Sequence, residues 1–260
     1  MAYIAFRSLD FRYGTHGPFI IRGFELELRR GEFFVLVGPS GCGKTTVLNI
    51  LAGFEAPSGG EVLVDGESVR GPKRDRIVIF QEPDSLYPWL TALENVEFPL
   101  RVLGTGRAER RERAAAALNL VGLHGHEGKH PSQLSGGMKQ RVQIARALVL
   151  DAPILLMDEP FGAVDAQTRI ILQDELAQIA ARTQRTILFI THDILEAIFL
   201  ADRIGVMTAG PEATLKKIVD VELRRPRTRG SPEFGELYEH VHQILSEEVR
   251  RTLRREDSLL

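Results

Sequence analysis

The segment from Gly38 to Thr45 constrains the fold of this chain more than any other feature. It reads Gly-Pro-Ser-Gly-Cys-Gly-Lys-Thr, which fits the pattern G-x-x-x-x-G-K-[S/T]. The apolar run 33–37 precedes it and a helical pattern at 45–52 follows, as this pattern requires. Glycines let the backbone turn its N–H groups toward an anion, and a helix N-terminus adds the positive end of its dipole. The sequence therefore predicts a phosphate-binding loop between a strand and a helix.

Individual side chains of this loop have predicted tasks. We expect Lys44, as an exposed cation, to reach the β- and γ-phosphates of a nucleotide, and the Thr45 hydroxyl to bind Mg²⁺. Cys42 occupies a variable position of the pattern and is interpreted as an inert side chain. The residues predicted to surround the phosphates are Gly38, Pro39, Ser40, Gly41, Cys42, Gly43, Lys44, Thr45 and Thr46.

Apolar runs alternate with helical patterns along much of the chain. The predicted strands are Phe33–Val37, Glu61–Val64, Ile77–Phe80, Ile154–Met157, Thr186–Ile190 and Ile204–Met207. The predicted helices are Thr45–Ala52, Arg107–Val121, Gly137–Leu150, Gln167–Arg182 and Ile194–Ala201. This alternation predicts an α/β fold with a largely parallel sheet flanked by helices. The stretch 83–150 contains no convincing strand, so we expect a helical subdomain there.

The C-terminal part of the chain changes in composition. The segment 224–232 is basic and contains two prolines, and it is interpreted as a linker. Its arginines are either solvated or in contact with anionic lipid headgroups, and the sequence leaves both readings open. Beyond it, apolar residues recur every three to four positions over 234–249, which predicts an amphipathic helix.

Asp158 and Glu159 form a second candidate element for nucleotide chemistry. They end the buried strand that starts at Ile154, and ligands of parallel sheets collect at the carboxyl ends of strands. Asp158 suits the coordination shell of Mg²⁺, and Glu159 suits activation of an attacking water. The alternative is that both acids only cap the next helix.

Four further motifs narrow the family. They are Gln81 after a strand, Gln133-Leu-Ser-Gly-Gly-Met-Lys-Gln-Arg141, Gly162-Ala-Val-Asp165 and Thr191-His-Asp193. Together with the phosphate loop, they resemble the nucleotide-binding subunits of ATP-binding-cassette (ABC) transporters over residues 1–245. The resemblance implies a P-loop NTPase (RecA-like) core at 1–82 and 151–223 with antiparallel N-terminal β-strands. It also implies an inserted α-helical subdomain at 83–150, followed by a basic linker and C-terminal helix at 224–260.

The same resemblance implies roles for residues outside the loop. Tyr13 would stack on adenine, although it could also be an ordinary strand aromatic. Gln81 would contact Mg²⁺ and the attacking water, and His192 would contact the γ-phosphate. Ser135 and Gly137 would meet the γ-phosphate of ATP held by a second copy, so that two ATP molecules lie in a head-to-tail dimer.

The segments 80–83, 86–91, 156–163, 188–193 and 225–227 resemble the bacterial importers of nitrate, aliphatic sulfonates and taurine. Tyr87 and Val164 depart from that group, which commonly has leucine at both positions, and neither touches phosphate. The resemblance implies an integral membrane permease as partner, an indirect link to a solute-binding protein, and a location on the inner face of the cell membrane. The transported solute cannot be identified, since it does not contact this subunit.

Composition excludes several other classes of protein. The chain has 33 basic and 35 acidic residues, which argues against a nucleic-acid partner, and its single cysteine fits a reducing compartment. No uninterrupted apolar run exceeds six residues, whereas a membrane span needs about 20. Two alternatives to transport remain: an ABC ATPase that acts on nucleic acid or ribosomes, and a kinase with a phosphate loop.

The segment Leu86-Tyr-Pro-Trp-Leu90 collects apolar and aromatic side chains in a loop. An exposed patch of this kind is typical of a docking surface for a partner, here the permease. The alternative is that Trp89 fills the core of the helical subdomain.

Overall fold

The computed structural model describes residues 2–80, 86–162 and 164–257, with side chains through Thr252. Its strands are β1 (Ile4–Phe11), β2 (Ile21–Leu28), β3 (Phe33–Val37), β4 (Gly59–Val64), β5 (Glu67–Ser68), β6 (Arg76–Ile79), β7 (Ile154–Asp158), β8 (Thr186–Ile190), β9 (Arg203–Met207) and β10 (Leu215–Asp220). Its α-helices are α1 (Lys44–Ala52), α2 (Ala92–Val102), α3 (Arg107–Leu120), α4 (Gly136–Leu148), α5 (Ala166–Thr183), α6 (Ile194–Leu200) and α7 (Pro232–Asp257).

The chain forms two compact units. The first unit combines Met1–Lys73 with Gln184–Leu260, and the second unit is Arg74–Thr183. The boundaries predicted at 83 and 150 for a helical subdomain stay a prediction.

An antiparallel sheet forms one part of the first unit. Strand β1 pairs with both β2 and β4, and β5 extends the sheet beyond β4. Side chains along the second half of β2 alternate between exposed and buried, as expected for a strand with one face on the core. Phe6 and Phe24 meet edge to face on the buried side, with ring centroids 5.5 Å apart. The antiparallel N-terminal strands implied by the family resemblance are therefore present.

A mainly parallel group of strands forms the other part of the first unit. Strand β3 lies between β8 and β9 and is parallel to both, and β10 is antiparallel to β9. Every residue of β3 and β8 is buried, which explains why their sequences are uninterrupted apolar runs. Leu36 pairs with Ile190 on one side and with Gly205 on the other. The carboxyl ends of these three strands therefore meet at one edge.

In its described residues, the second unit combines strands β6 and β7 with the α-helices α2 to α5. Strands β6 and β7 are parallel, with Ile79 opposite Met157. Between residues 86 and 150, every regular element that the structure describes is helical. Helix α2 begins with a capping box, in which the Thr91 hydroxyl accepts from the Glu94 N–H and the Glu94 carboxylate accepts from the Thr91 N–H.

The sequence predicted the fold class correctly. Each predicted strand and helix from β3 to β9 is present, with ends that differ by one or two residues. Helix α7 also forms, although it extends on both sides of the predicted 234–249. The α/β fold with a P-loop core, antiparallel N-terminal strands and a C-terminal helix is confirmed.

The interpretation of 224–229 as a solvated linker is wrong for Arg227. This residue is only 9% exposed. Its guanidinium donates to the carbonyl oxygens of Ile198 and Phe199 near the end of α6, and to those of Val221 and Leu223. Burial, aided by the charge of Arg225, lowers the pKa of Arg227 to about 10, so this side chain is still charged at neutral pH. The segment is thus an integral part of the first unit.

Candidate functional site

The phosphate loop lies directly after β3 in the first unit. Gly41 and Gly43 adopt left-handed backbone conformations, with φ of 74° and 95°. Such angles disfavour residues that carry a Cβ, which explains the glycine that the pattern requires at 43 and the glycine that this chain has at the variable position 41. Gly43 is also the residue that precedes the first turn of α1.

The N-terminus of α1 can accept an anion. No side chain in the described part of the protein caps it by a hydrogen bond, and its first turn contains no acidic residue. Its first N–H groups therefore keep the hydrogen-bonding capacity that an oxyanion satisfies at such helix ends. The Thr45 side chain is exposed at this end, whereas Thr46 is buried.

Lys44 is turned into the loop rather than toward solvent. Its ammonium donates to the carbonyl oxygens of Gly38 at 2.9 Å and Pro39 at 3.0 Å, and the residue is only 7% exposed. The expectation that Lys44 is an exposed cation is therefore wrong. A buried ammonium held by neutral carbonyl oxygens is a strong partner for phosphate, because an anion supplies the charge that the carbonyls do not.

Cys42 is buried within the loop. Burial raises the pKa of its thiol, although the charge of Lys44 acts in the opposite direction. A thiol with a raised pKa is neutral at pH 7 and therefore a poor nucleophile.

Tyr13 lies just beyond β1 and is 57% exposed. Its ring meets that of Phe11 edge to face, with centroids 5.0 Å apart. The alternative of an ordinary strand aromatic does not fit a side chain that lies outside the strand with more than half of its surface exposed.

His192 follows β8 at the edge where the phosphate loop begins. Strands β3 and β8 are parallel, and the Thr191 N–H donates to the Leu36 carbonyl at 3.4 Å. Thr191 is buried, and Asp193 caps α6 by accepting from the N–H groups of Leu195 and Glu196. The exposed His192 thus lies between two anchored residues.

Asp158 and Glu159 lie at the carboxyl end of β7 in the second unit. Asp158 is its last residue, and Glu159 has a left-handed conformation with φ of 43°. A non-glycine residue with this conformation is strained, and such strain is concentrated at functional sites. The next helix is capped by Asp165, whose carboxylate accepts from the Thr168 N–H at 3.0 Å. Capping therefore does not account for Asp158 and Glu159.

Ser135 caps α4. Its hydroxyl accepts from the Met138 N–H at 3.3 Å and is exposed. The cap uses an acceptor lone pair, and a hydroxyl also carries one donor hydrogen. Ser135 can therefore cap the helix and donate to an anion together.

Gly137 has a packing role that the sequence did not reveal. It is buried, and a Cβ added there would lie 2.4 Å from Thr168 Cγ2 on α5. The residue assigned to the γ-phosphate therefore also lets α4 and α5 approach each other closely. Gln81, the remaining predicted site residue, lies outside the described residues.

The segment 86–90 is held by Asn95, a buried residue that the sequence reasoning missed. The Asn95 amide donates to the carbonyl oxygens of Tyr87 and Leu90 and accepts from the Tyr87 N–H. Trp89 is 70% exposed, so the alternative that it fills the core is wrong. The Thr91–Glu94 capping signature was the available sign that a helix carrying Asn95 begins here.

A groove of about 740 Å³ opens beside this segment in the second unit. Its lining is mainly apolar and includes Phe80, Tyr87, Phe98, Val102 and Leu103. Among the described residues, the arginines at 74, 113 and 146 line it together with one acidic residue, Asp151, which pairs with Arg113 at 2.7 Å. Burial lowers the pKa of Arg146, which reflects the loss of water around its guanidinium. The groove therefore suits a partner segment that is apolar and carries an acidic group.

None of the helices in the described parts of the chain is long and apolar enough to cross a membrane.

The comparisons with known proteins agree on one family. The family model described as ABC transporter matches residues 21–162. An uncharacterized ABC transporter ATP-binding protein of Methanocaldococcus jannaschii is 50% identical over 88% of this chain and 85% of its own length. A taurine import ATP-binding protein of Pseudomonas aeruginosa is 45% identical over 88% of this chain and 90% of its own. A bicarbonate transport ATP-binding protein of Synechocystis is 45% identical over 88% and 82%.

Solved structures lead to the same family. A dimeric structure of a post-hydrolysis state of an ATP-binding cassette, bound to ADP and Pi, has a TM-score of 0.71. It is 31% identical and covers 84% of this chain and 99% of its own. With the phosphate loop, the acidic end of β7 and the Ser135 helix in place, the chain belongs to the ABC transporter family and is one of its ATP-hydrolysing subunits.

Proposed function

We propose that this ATPase subunit works as a pair of identical copies, arranged head to tail with two ATP molecules between them, and drives uptake of a small solute through a separate membrane permease. The observation that carries the proposal is the phosphate loop, where an uncapped helix N-terminus and the buried Lys44 ammonium converge. The dimeric ATP-binding cassette bound to ADP and Pi supports the paired arrangement.

Contacts to the phosphates and to adenine are assigned to residues of the first unit. The N–H groups at the start of α1 and the Lys44 ammonium hold the β- and γ-phosphates, and the exposed Tyr13 ring stacks on adenine. The Thr45 hydroxyl and the Asp158 carboxylate are hard oxygen donors of the kind that Mg²⁺ prefers, so these residues fit the metal. When bound, Mg²⁺ would neutralise charge on the phosphate oxygens. Gln81 is retained as a predicted contact to the metal and the water.

Hydrolysis is assigned to Glu159 as general base. Its carboxylate accepts a proton from water as the water oxygen bonds to the γ-phosphorus. The bond from this phosphorus to the bridging oxygen breaks, which gives ADP and inorganic phosphate. Lys44 and His192 stabilise the charge that develops on the γ-phosphate, and the Ser135 hydroxyl of the second copy donates to the same group.

The permease is proposed to dock on the second unit, at the exposed Trp89 and the adjoining apolar groove. Exposed aromatic side chains beside a groove dominate the energetics of many interfaces. Among the described residues of the lining, arginines outnumber acidic residues, which favours a permease segment with a carboxylate. This places the protein at the inner face of the cell membrane, with a solute-binding protein as an indirect partner.

The solute class is proposed to be a small anion or zwitterion such as taurine, another sulfonate or nitrate. Relatives named for taurine and for bicarbonate are both 45% identical to this chain, so identity alone does not choose among solutes. The transporter relatives also disfavour the alternative of an ABC ATPase that acts on nucleic acid or ribosomes.

Substitution of Glu159 tests the catalytic assignment. Glu159→Gln keeps the shape but removes the base, so hydrolysis should fall by about 10²- to 10⁴-fold while ATP still binds and the dimer accumulates. Glu112→Gln, at an exposed position of α3, is the matched control and should hydrolyse ATP normally. A Glu159→Gln protein with the wild-type rate would show that another residue is the base.

The docking assignment requires a separate experiment. Trp89→Ala removes an exposed side chain, so stability and basal ATPase should not change, whereas assembly with the permease in a pull-down should be lost. Tyr87→Ala is expected to act in the same direction. Leu195→Ala, which removes an exposed apolar side chain of the first unit, is the control and should assemble normally. Normal assembly of the Trp89→Ala and Tyr87→Ala proteins would contradict the docking assignment.

A further inference from the structure

The turn that joins β9 to β10 packs against the phosphate loop. A Cβ added at Gly38 would lie 3.0 Å from Met207 Cβ, so the loop and the end of β9 are already in tight contact. A Cβ added at Gly210 would lie 3.6 Å from the Gly41 carbonyl oxygen and 3.8 Å from Cys42 Cα. Residues 207–210 therefore run alongside the loop, with a close approach at Met207 and space for about one more carbon atom between Gly210 and the loop.

This turn is fixed on one side by the N-terminal part of the chain. The N–H groups of Glu212 and Ala213 donate to the carbonyl oxygens of Phe19 and Ile20 at 2.9 and 2.8 Å. Within the turn, the Thr208 N–H donates to the Thr214 carbonyl oxygen, and the Thr214 N–H donates to the Thr208 hydroxyl oxygen.

On the other side, the turn is fixed by one carboxylate of the C-terminal helix α7. Glu248 is only 1% exposed, and its Oε2 accepts from the Ala209 N–H at 2.9 Å. Its Oε1 contacts Lys216 Nζ at 2.8 Å and the Arg251 guanidinium at 3.0 Å. Burial opposes ionisation, but the bonds from Lys216 and Ala209 and the charges of Lys216 and Arg251 outweigh it and lower the pKa of Glu248.

We propose that Glu248 is a positioning residue for the phosphate loop, which links the C-terminal helix to the affinity for ATP. The connection runs from the Glu248 carboxylate through the Ala209 N–H to Gly210, and from Gly210 to Gly41 and Cys42. Glu248 touches neither nucleotide nor water in this scheme. It keeps the turn against the loop, so that the loop N–H groups are oriented before ATP arrives. The proposal rests on the assignment of the loop as the ATP site.

A charged carboxylate is a costly choice for a position that is only structural. The cost of removing an ion from water is offset only when its partners are well placed. A protein with an apolar residue at such a position is often as stable. The next residue, Glu247, bonds to the same Lys216 at 2.6 Å from an exposed position, so the ion pair with β10 does not require Glu248. The contact that distinguishes Glu248 is its hydrogen bond to the turn.

Variants of Glu248 in the full chain test the proposal. Glu248→Leu and Glu248→Ala remove the acceptor for Ala209, and both should weaken ATP binding by about fivefold or more, within the usual range of coupling between sites. KM for ATP should rise while kcat stays within twofold of wild type. Hydrogen exchange at the amides of Gly38 and of residues 40–43 should become faster. Glu248→Gln keeps an oxygen that can accept from Ala209, so its ATP affinity should stay within twofold of wild type.

Two controls separate positioning from a general loss of stability. Val241→Ala creates a cavity under α7 and leaves the Glu248 carboxylate unchanged, and Glu247→Gln removes the exposed partner of Lys216. Both should bind ATP within twofold of wild type under conditions where every variant is folded. Normal ATP affinity in both folded Glu248→Leu and Glu248→Ala would overturn the proposal, as would an equal loss in Val241→Ala. A wild-type protein that binds no ATP would instead overturn the assignment of the loop itself.

Discussion

Gly137 offers a direct test of whether the motif around Ser135 is built for packing as well as for phosphate. In Gly137→Ala the new Cβ would lie 2.4 Å from Thr168 Cγ2. Carbon atoms prefer separations of about 3.5–4.0 Å, so roughly 1 Å must be gained by moving α4, α5 or the threonine side chain. Rotation of Thr168 is unfavourable because a β-branched side chain is stiff and its hydroxyl also bonds to Asp165.

The expected change in the free energy of unfolding of Gly137→Ala combines two opposing effects. Overpacking of this kind destabilises by about 1–3 kcal/mol. Alanine stabilises a helix relative to glycine by about 1 kcal/mol. Gly235→Ala in α7 isolates the second effect, because a Cβ there meets nothing within 4 Å. We therefore expect Gly137→Ala to be less stable than Gly235→Ala by about 1–3 kcal/mol in urea unfolding followed by circular dichroism.

The pair with Thr168 completes the test. Thr168→Ser removes the methyl group and keeps the hydroxyl, so the double variant Gly137→Ala/Thr168→Ser should regain much of the stability, with a coupling of about 1–2 kcal/mol. ATP hydrolysis is measured on the same proteins. A Gly137→Ala protein as stable as Gly235→Ala, with lost ATPase that Thr168→Ser does not restore, would refute the packing argument and leave contact with phosphate as the only role.

Three other substitutions have expected outcomes that follow from single side chains. Arg227→Gln should destabilise the protein by about 3 kcal/mol because buried carbonyl groups lose a charged donor, whereas the exposed Arg224→Gln should change the urea midpoint little. Cys42 should react slowly with maleimide in the folded protein and more slowly with ATP present, and Cys42→Ala should stay active; rapid labelling would contradict its burial. The bonds from the Thr168 N–H and side chain lower the pKa of Asp165, so this cap stabilises the fold above the ordinary carboxyl pKa and less as pH falls through the lowered value. Asp165→Ala should therefore lower the melting temperature at pH 7 more than at pH 3, and equal losses would argue against the charged cap.

The sequence predicted strands best where burial leaves a simple pattern. Strands β3, β7 and β8 are covered on both faces, so each is a short apolar run that periodicity detects easily. Strand β10 was missed because its sequence, Leu-Lys-Lys-Ile-Val-Asp, contains two lysines at an antiparallel edge. The start of α2 could have been predicted from its Thr91–Glu94 capping box, a local signal that does not depend on tertiary contacts.

The candidate site was predictable where chemistry requires a residue type at a fixed spacing. The phosphate loop and the carboxylates after β7 are of this kind. Tertiary packing was not predictable in the same way. The burial of Lys44 was missed because the loop motif suggested an exposed cation. The close approach of Gly137 to Thr168 and the bonds from Arg227 to α6 join residues far apart in sequence. A basic segment with two prolines has the composition of a linker. The buried position of Arg227 becomes evident only from the backbone carbonyl oxygens that the fold brings to it, among them those at the end of α6.

The two helix N-termini assigned to phosphate differ in the number of hydrogen-bond donors that they have available for an anion. Helix α1 has no side-chain cap among the described residues, so its first N–H groups are available to an anion, and the Lys44 ammonium lies in the same loop on the carbonyl oxygens of Gly38 and Pro39. In helix α4 the Met138 N–H already donates to the Ser135 hydroxyl oxygen. The main donor that this helix end has for an anion is therefore the Ser135 hydroxyl hydrogen. A single copy should therefore hold ATP through α1, with little contribution from α4. If α4 meets phosphate only in the pair of copies, its weaker end is an advantage, because a contact that releases readily lets the pair open after hydrolysis.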